Sequence, residues 1–157
     1  MLKSTDEKMM RLALEEARKA FTADEVPVGA VITDKNGHVI ASAYNEQENS
    51  LDATAHAEIL AIRRACSKLG RRRLADMTLY VTLEPCPMCA GAILLSCIGR
   101  LVYGAFDSRM GAVDSLFSIL THSALNHSIE IKAGVLEDEC KLILQEFFAG
   151  KRKNINI

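Results

Sequence analysis

Tryptophan is missing from this chain of 157 residues, and aromatic residues reach only 5% of it. The 49% hydrophobic share is therefore mostly aliphatic, enough for one substantial core. Charge of one sign is missing too: 19 Lys and Arg stand against 20 Asp and Glu, a net charge of −1. The molecule as a whole is no polycation, so nucleic-acid attraction would have to be local. Three prolines and nine glycines leave no linker between domains, and neither repeat nor low-complexity segment is visible. One domain spanning residues 1–157 is expected. No hydrophobic run is long enough for a membrane, because the apolar stretch at 90–105 is broken by Arg100 and punctuated by glycines. Residues 1–7 are polar, unlike a secretory leader, so a cytoplasmic setting is expected. Five cysteines do not suggest a disulfide framework. Cys66, Cys97 and Cys140 lie in apolar or helical stretches and are expected as buried thiols.

What is present reads as alternating helices and strands. Ser4-x-x-Glu7 resembles a capping box before a helix running to about Phe21, with Met10, Ala13, Leu14, Ala17 and Phe21 on one face. Strands are expected at 28–33 and 39–44, joined by the turn Asp34-Lys35-Asn36-Gly37. A polar loop at 45–55 leads to a helix that starts after His56 and stops at Gly70. Further strands are expected at 78–82, 101–103 and 129–133. Further helices are expected from Pro87 or Met88 to Leu95, near 115–120, and from 138 to about 151. The opening hairpin implies antiparallel pairing, and the later β-α-β units imply parallel pairing. The expected fold is α/β, a five-stranded mixed sheet between helices.

The densest chemistry lies in His56-Ala57-Glu58 and, further on, Pro85-Cys86-Pro87-Met88-Cys89. The pattern H-x-E followed by P-C-x-x-C offers three zinc ligands, His56, Cys86 and Cys89, and one carboxylate that need not bind metal. Structural zinc sites close their tetrahedron with four protein ligands, whereas catalytic sites keep a position for water. Three ligands therefore point to an enzyme that uses a zinc-activated water. Thiols at the start of a helix favour the thiolate form. Residues two apart do not face one another on a helix, so His56 and Glu58 can share a site only if the metal lies off the helix end. Two thiolates cancel the charge of zinc and weaken it as a Lewis acid, so a separate base helps. Glu58 fits that role, worth about 10²–10⁴-fold as a general acid and base. Taken alone, C-x-x-C also fits a redox pair or half of a structural zinc site.

The chain resembles the zinc-dependent nucleoside and nucleobase deaminases, and among them the branch that converts adenosine to inosine at the wobble position of tRNA. The match runs nearly its whole length. It includes Glu25-Val26-Pro27-Val28-Gly29-Ala30, Thr54-Ala55-His56-Ala57-Glu58-Ile59, Leu83-Glu84-Pro85-Cys86, Cys89-Ala90-Gly91-Ala92, Val102-Tyr103-Gly104-Ala105 and the late Gly134-Val135-Leu136-Glu137-Asp138-Glu139-Cys140. The resemblance implies a cytidine deaminase-like three-layer fold with one zinc per subunit on His56, Cys86 and Cys89, and Glu58 as proton shuttle. It implies that Asn45 bonds the purine, that the backbone near Ala57 helps hold it, that Val28 packs on the base, and that Asp107 lies near the ribose. Its partners would be a tRNA anticodon stem-loop and a second copy of the chain in a homodimer.

Four positions depart from that pattern: Asp24, Ala53, Phe106 and Asp114, all in substrate-facing loops. They bear on RNA contacts rather than on the chemistry. Phe106 is expected either to stack on an unpaired base or to pack its own loop. Two basic clusters, Lys68 with Arg71, Arg72 and Arg73, and Lys151 with Arg152 and Lys153, are either solvated helix ends or phosphate contacts. Two other functions compete: deamination of a free base such as guanine or cytosine by the same zinc chemistry, and a non-catalytic zinc-stabilised RNA-binding module.

Overall fold

The computed structural model describes residues 4–155, so the first three residues of the polar start at 1–7 lie outside it. Helix α1 (Thr5–Thr22) opens on Ser4, whose hydroxyl accepts from the Glu7 amide at 3.2 Å, the half of a capping box that matters for the first turn. Strands β1 (Gly29–Thr33) and β2 (Val39–Tyr44) form the expected hairpin, with Gly37 at φ 82° in its turn. Helix α2 (Ala57–Leu69) begins after His56 and ends at Gly70, which is left-handed. Then follow β3 (Thr78–Leu83), α3 (Pro87–Leu95), β4 (Arg100–Ala105), β5 (Glu130–Lys132) and α4 (Glu137–Ile155).

The sheet order is β2-β1-β3-β4-β5. Strand β1 pairs antiparallel with β2 and β3, while β3, β4 and β5 run parallel. Strand residues alternate between two cores, as a period of two requires. Ala30, Ile32, Leu79, Val81, Leu101 and Tyr103 face one core with Ala61, Ile62 and Ala65 of α2 and Ala90 and Ile93 of α3. Val31, Tyr80 and Val102 face the other with Met10, Leu14 and Ala17 of α1 and Cys140 and Ile143 of α4. Both faces are covered, which gives the three-layer arrangement and explains why β3 and β4 read as nearly continuous apolar runs.

One expected element is absent. Residues 115–120 form turns, not a helix. The amides of Val113, Asp114 and Ser115 are taken by the Glu84 carboxylate, and those of Leu116 and Phe117 by the Gly111 carbonyl. Ile119 likewise donates to the Ala112 carbonyl rather than to that of Ser115, so no i to i−4 ladder forms. Cys140 is buried as expected, but Cys66 and Cys97 are only half-buried. No helix among the described residues is long and apolar enough to cross a membrane.

Candidate active site

The register brings four chain exits to one edge of the sheet. Gly29 pairs with Tyr44, Ala30 with Val81, and Leu83 with Ala105. Val28, Asn45, Glu84 and Phe106 are the next residues beyond those strand ends, so they leave the sheet side by side. The carboxyl ends of β3 and β4 are where open α/β sheets place their sites.

His56 is the N-cap of α2 and Cys86 the N-cap of α3, and neither side chain caps its own helix. Both are free to turn outward past the helix ends. The sulfurs of Cys86 and Cys89 lie 3.5 and 3.4 Å from His56 Nδ1, and the three ligand atoms all fall within 4.8 Å of one another. A tetrahedral zinc with ordinary bond lengths needs its nitrogen and sulfur ligands about 3.6 Å apart. The donor set therefore fits zinc in both spacing and chemistry. It forms the one such cluster found among the described residues.

Electrostatics split the two thiols. The Cys86 thiol is pulled down to about 4, first by the hydrogen bond from Cys89 and then by His56, against burial. Its partner Cys89 is pushed far up by Cys86 and by burial. His56 is raised, chiefly by Cys86. The start of α3 adds its dipole in favour of thiolate. Glu58 sits in the first turn of α2, only 4% exposed and beside the Cys89 thiol. Burial pushes its carboxyl above the ordinary range, opposed by the first-turn backbone and by His56. Burial thus favours the protonated form relative to an exposed carboxyl, the direction a general acid needs. His56 precedes α2 and Glu58 lies in its first turn, so both can reach a metal placed off the helix end.

The structure links three more of the expected residues. Asn45 Oδ1 accepts the Ala57 amide at 2.8 Å, and the Asn45 amide donates to the Val28 carbonyl at 3.2 Å. The Ala57 N–H is thus spent on Asn45. Asn45 and Val28 are both buried. Asp107 and Phe106 sit on the opposite loop. Asp107 Oδ1 accepts from the Arg109 and Met110 amides at 3.0 and 3.2 Å and so shapes its own turn. Phe106 packs edge-on against Tyr103 at 5.4 Å between centroids, yet stays 46% exposed. Packing and exposure coexist there, so both expected roles remain available to it.

The four unusual positions each have a partner within the chain. Asp24 pairs with Lys151 at 2.6 Å, Asp114 accepts from the Tyr103 hydroxyl, the Ala53 carbonyl accepts from Gln47 at 2.9 Å, and Phe106 rests on Tyr103. Lys151 also lies over the Phe147 ring at 5.5 Å, leaving Arg152 and Lys153 as the exposed cations of the tail. In the other cluster, Arg71 bonds to the Arg73 carbonyl and Asp76.

Two residues that flank the site went unread in the sequence. Glu25 and Glu84 are among the largest fully buried side chains. Glu25 accepts the amides of Glu48 and Asn49, both at 2.9 Å, and so fastens the loop between Asn45 and His56. Glu84 fastens the loop after β4. An acidic residue between an apolar strand and Pro85-Cys86 was the available signal.

With fold and geometry established, the comparisons agree. The family profile of the cytidine and deoxycytidylate deaminase zinc-binding region matches residues 3–105, and the chain belongs to that family. It is 49% identical over 148 residues to the tRNA-specific adenosine deaminase of Bacillus subtilis, covering 94% of this chain and 91% of the relative. A solved structure from studies of A-to-I editing by tRNA:A34 deaminases superposes with a TM-score of 0.82 at 47% identity, covering 87% of this chain and 98% of that one. The guanine deaminase of Nitrosomonas europaea superposes with a TM-score of 0.81 at 28% identity, covering 91% and 84%.

Proposed function

We infer that this chain is a zinc-dependent tRNA adenosine deaminase, which converts the wobble adenosine of an anticodon loop to inosine. The observation that carries this is the three-ligand cluster of His56, Cys86 and Cys89 with the buried carboxyl of Glu58 beside it. The substrate assignment follows the relatives, of which the Bacillus subtilis enzyme is named for tRNA and covers nearly the full length. The reading takes residues 1–157 as one deaminase domain, with one zinc per subunit, in a cytoplasmic homodimer. Support for the dimer comes from an apolar groove between α2 and α3, lined by Ile59, Ile62, Ala92 and Leu95, where Leu95 is 75% exposed.

The reaction adds one water at C6 of the purine and releases ammonia. His56, Cys86 and Cys89 would hold the zinc, which when bound would supply the Lewis acidity that activates water near neutral pH. Glu58 would take the two protons of that water in turn, passing the first to N1 of the base and the second to the departing amine, so that ammonia leaves and the oxygen stays on C6. Asn45 offers Nδ2 to the purine, since its Oδ1 is held by Ala57. Val28 provides an apolar wall beside it. Asp107 and Phe106 meet the ribose and the flanking bases from the opposite loop. A base in a loop is already poorly stacked, so drawing it into the site costs less than flipping one from a duplex.

The likeness to a guanine deaminase gives the second reading, deamination of a free base. One product analysis separates the two. Zinc-loaded protein is incubated with a tRNA bearing wobble adenosine, and separately with guanine, cytosine, adenosine and cytidine. Inosine at that single position with untouched small molecules is expected. Deamination of a free base with intact tRNA would overturn the substrate assignment and keep the zinc chemistry.

A further inference from the structure

We propose that Glu84 is a positioning residue: it ties the substrate-facing loop to the metal-ligand loop and so sets how tightly RNA is held. This rests on the tRNA reading above, which assigns Phe106 and Asp107 to the substrate.

Glu84 follows the last residue of β3 and precedes Pro85-Cys86, so its main chain is part of the ligand loop. It is 2% exposed. Oε1 accepts the Asp107 amide at 3.1 Å. Oε2 accepts the amides of Val113, Asp114 and Ser115 at 3.2, 2.8 and 2.9 Å. The Ser115 hydroxyl donates to Oε1 as well. No ion pair reaches Glu84 among the described residues, so the charge is met by oriented amides and one hydroxyl alone. Two main-chain bonds run alongside: the Glu84 amide donates to the Ala105 carbonyl, and the Ala112 amide to the Pro85 carbonyl, both at 2.8 Å.

A buried carboxylate is a costly way to fill space. What it gives is geometry: one side chain reads five donors from both ends of the loop and fixes them relative to Cys86. The loop comes so close that a Cβ on Gly111 would sit 2.5 Å from Glu84 Cδ and 2.4 Å from the Asp107 carbonyl. Gln cannot replace it, because its amide nitrogen would point hydrogens at N–H donors. The metal ligands have anchors apart from the Glu84 carboxylate: His56 comes from the other side of the site, Cys86 is the N-cap of α3 and its carbonyl accepts the Ala90 amide at 2.8 Å, and Cys89 lies within that helix.

The test compares wild type with Glu84→Gln and Ser115→Ala on an anticodon stem-loop RNA bearing wobble adenosine. Zinc content and amide hydrogen exchange at 106–115 are measured in parallel. For Glu84→Gln, KM is expected to rise at least about ten-fold while kcat holds within about three-fold, the signature of lost substrate positioning. Zinc stays at the wild-type level, and exchange at 106–115 speeds up. An unchanged KM with kcat falling alongside zinc or folded fraction would overturn the proposal. Ser115→Ala removes one donor and leaves the four main-chain bonds, so it decides the matter if Glu84→Gln does not fold. A KM rise of about two- to five-fold supports the proposal, and unchanged KM and exchange sink it. Should wild type itself fail on RNA, the tRNA reading fails separately. Loop exchange then still judges Glu84: faster exchange upholds the tie, and unchanged exchange refutes it.

Discussion

Replacing Glu58 with Gln keeps its volume and removes its capacity to carry a proton. Turnover is expected to fall by about 10²–10⁴-fold or more, with zinc content unchanged. Loss of zinc in that variant would mark Glu58 as a structural support instead. A second single-residue prediction concerns Tyr103, which is fully buried and gives its hydroxyl to Asp114. Asp114→Ala strands that hydroxyl, and urea denaturation should show a loss of about 1–3 kcal/mol. Adding Tyr103→Phe removes the stranded group, so the double variant should recover most of the loss. If the two effects simply add, the pair is not coupled. At this scale the ligands were legible because side-chain type and spacing carry the chemistry. Cys86 and Cys89 alone leave a redox pair open, and it is His56 and Glu58 upstream that make them read as a catalytic zinc set. Glu25 and Glu84 were not legible in this way, because what makes them matter is a set of backbone donors from 23 to 31 positions away.

Helix α1 is fastened to strands β4 and β5 by Asp6. Its carboxylate accepts from Arg100 at 2.7 and 2.9 Å, from Lys132 at 2.9 Å and from the Tyr80 hydroxyl at 3.0 Å. Arg100 holds the Asp6 carboxyl far below the usual carboxylate range against the opposing effect of burial, with Lys132 and Tyr80 assisting. A depressed folded value stabilises above the unfolded value of about 3.9 and is lost as pH falls below it. Asp6→Asn should therefore cost about 3 kcal/mol at pH 7, and the gap to wild type should close as pH drops under about 4. A gap that stays constant down to acid pH would show that charge is not the source. Elements with strong periodicity or firm caps were readable, as α1 with Ser4 and α2 with Gly70 show. The stretch 115–120 was misread because its apolar spacing suits a helix, whereas the Leu116 and Phe117 amides turn back to the Gly111 carbonyl and the Ile119 amide to that of Ala112. Spacing reports which side chains are apolar, not which carbonyl each amide reaches.

Across the whole molecule, the metal cluster joins the N-termini of α2 and α3, two helices packed on the same sheet face. Chelation should lower the melting temperature and abolish turnover, and added zinc should restore both. At free zinc about 1,000 times its dissociation constant, linkage contributes about 4 kcal/mol. Differential scanning fluorimetry across a zinc titration checks this, and a midpoint that ignores zinc would contradict a site formed only in the folded chain. The layered architecture was legible from the order of elements and the alternation within strands. The exposed Leu95 that supports the proposed dimer was not legible, since its exposure emerges only once α3 is laid on the sheet.

The clasp made by Glu84 grips main-chain N–H groups at 107, 113 and 114, and only at Ser115 does it also take hold of a side chain. It is therefore indifferent to what most of those positions carry. Val113 is part of the core and Asp107 and Asp114 hold bonds of their own, but the exposed side chains at 108–110 can be exchanged over generations while the path of the loop is inherited intact. A descendant could come to prefer another nucleotide, or a free base, by changing only the outward groups on a loop whose course stays the same. Heritable variation in what is recognised is in this way uncoupled from the chemistry that follows recognition.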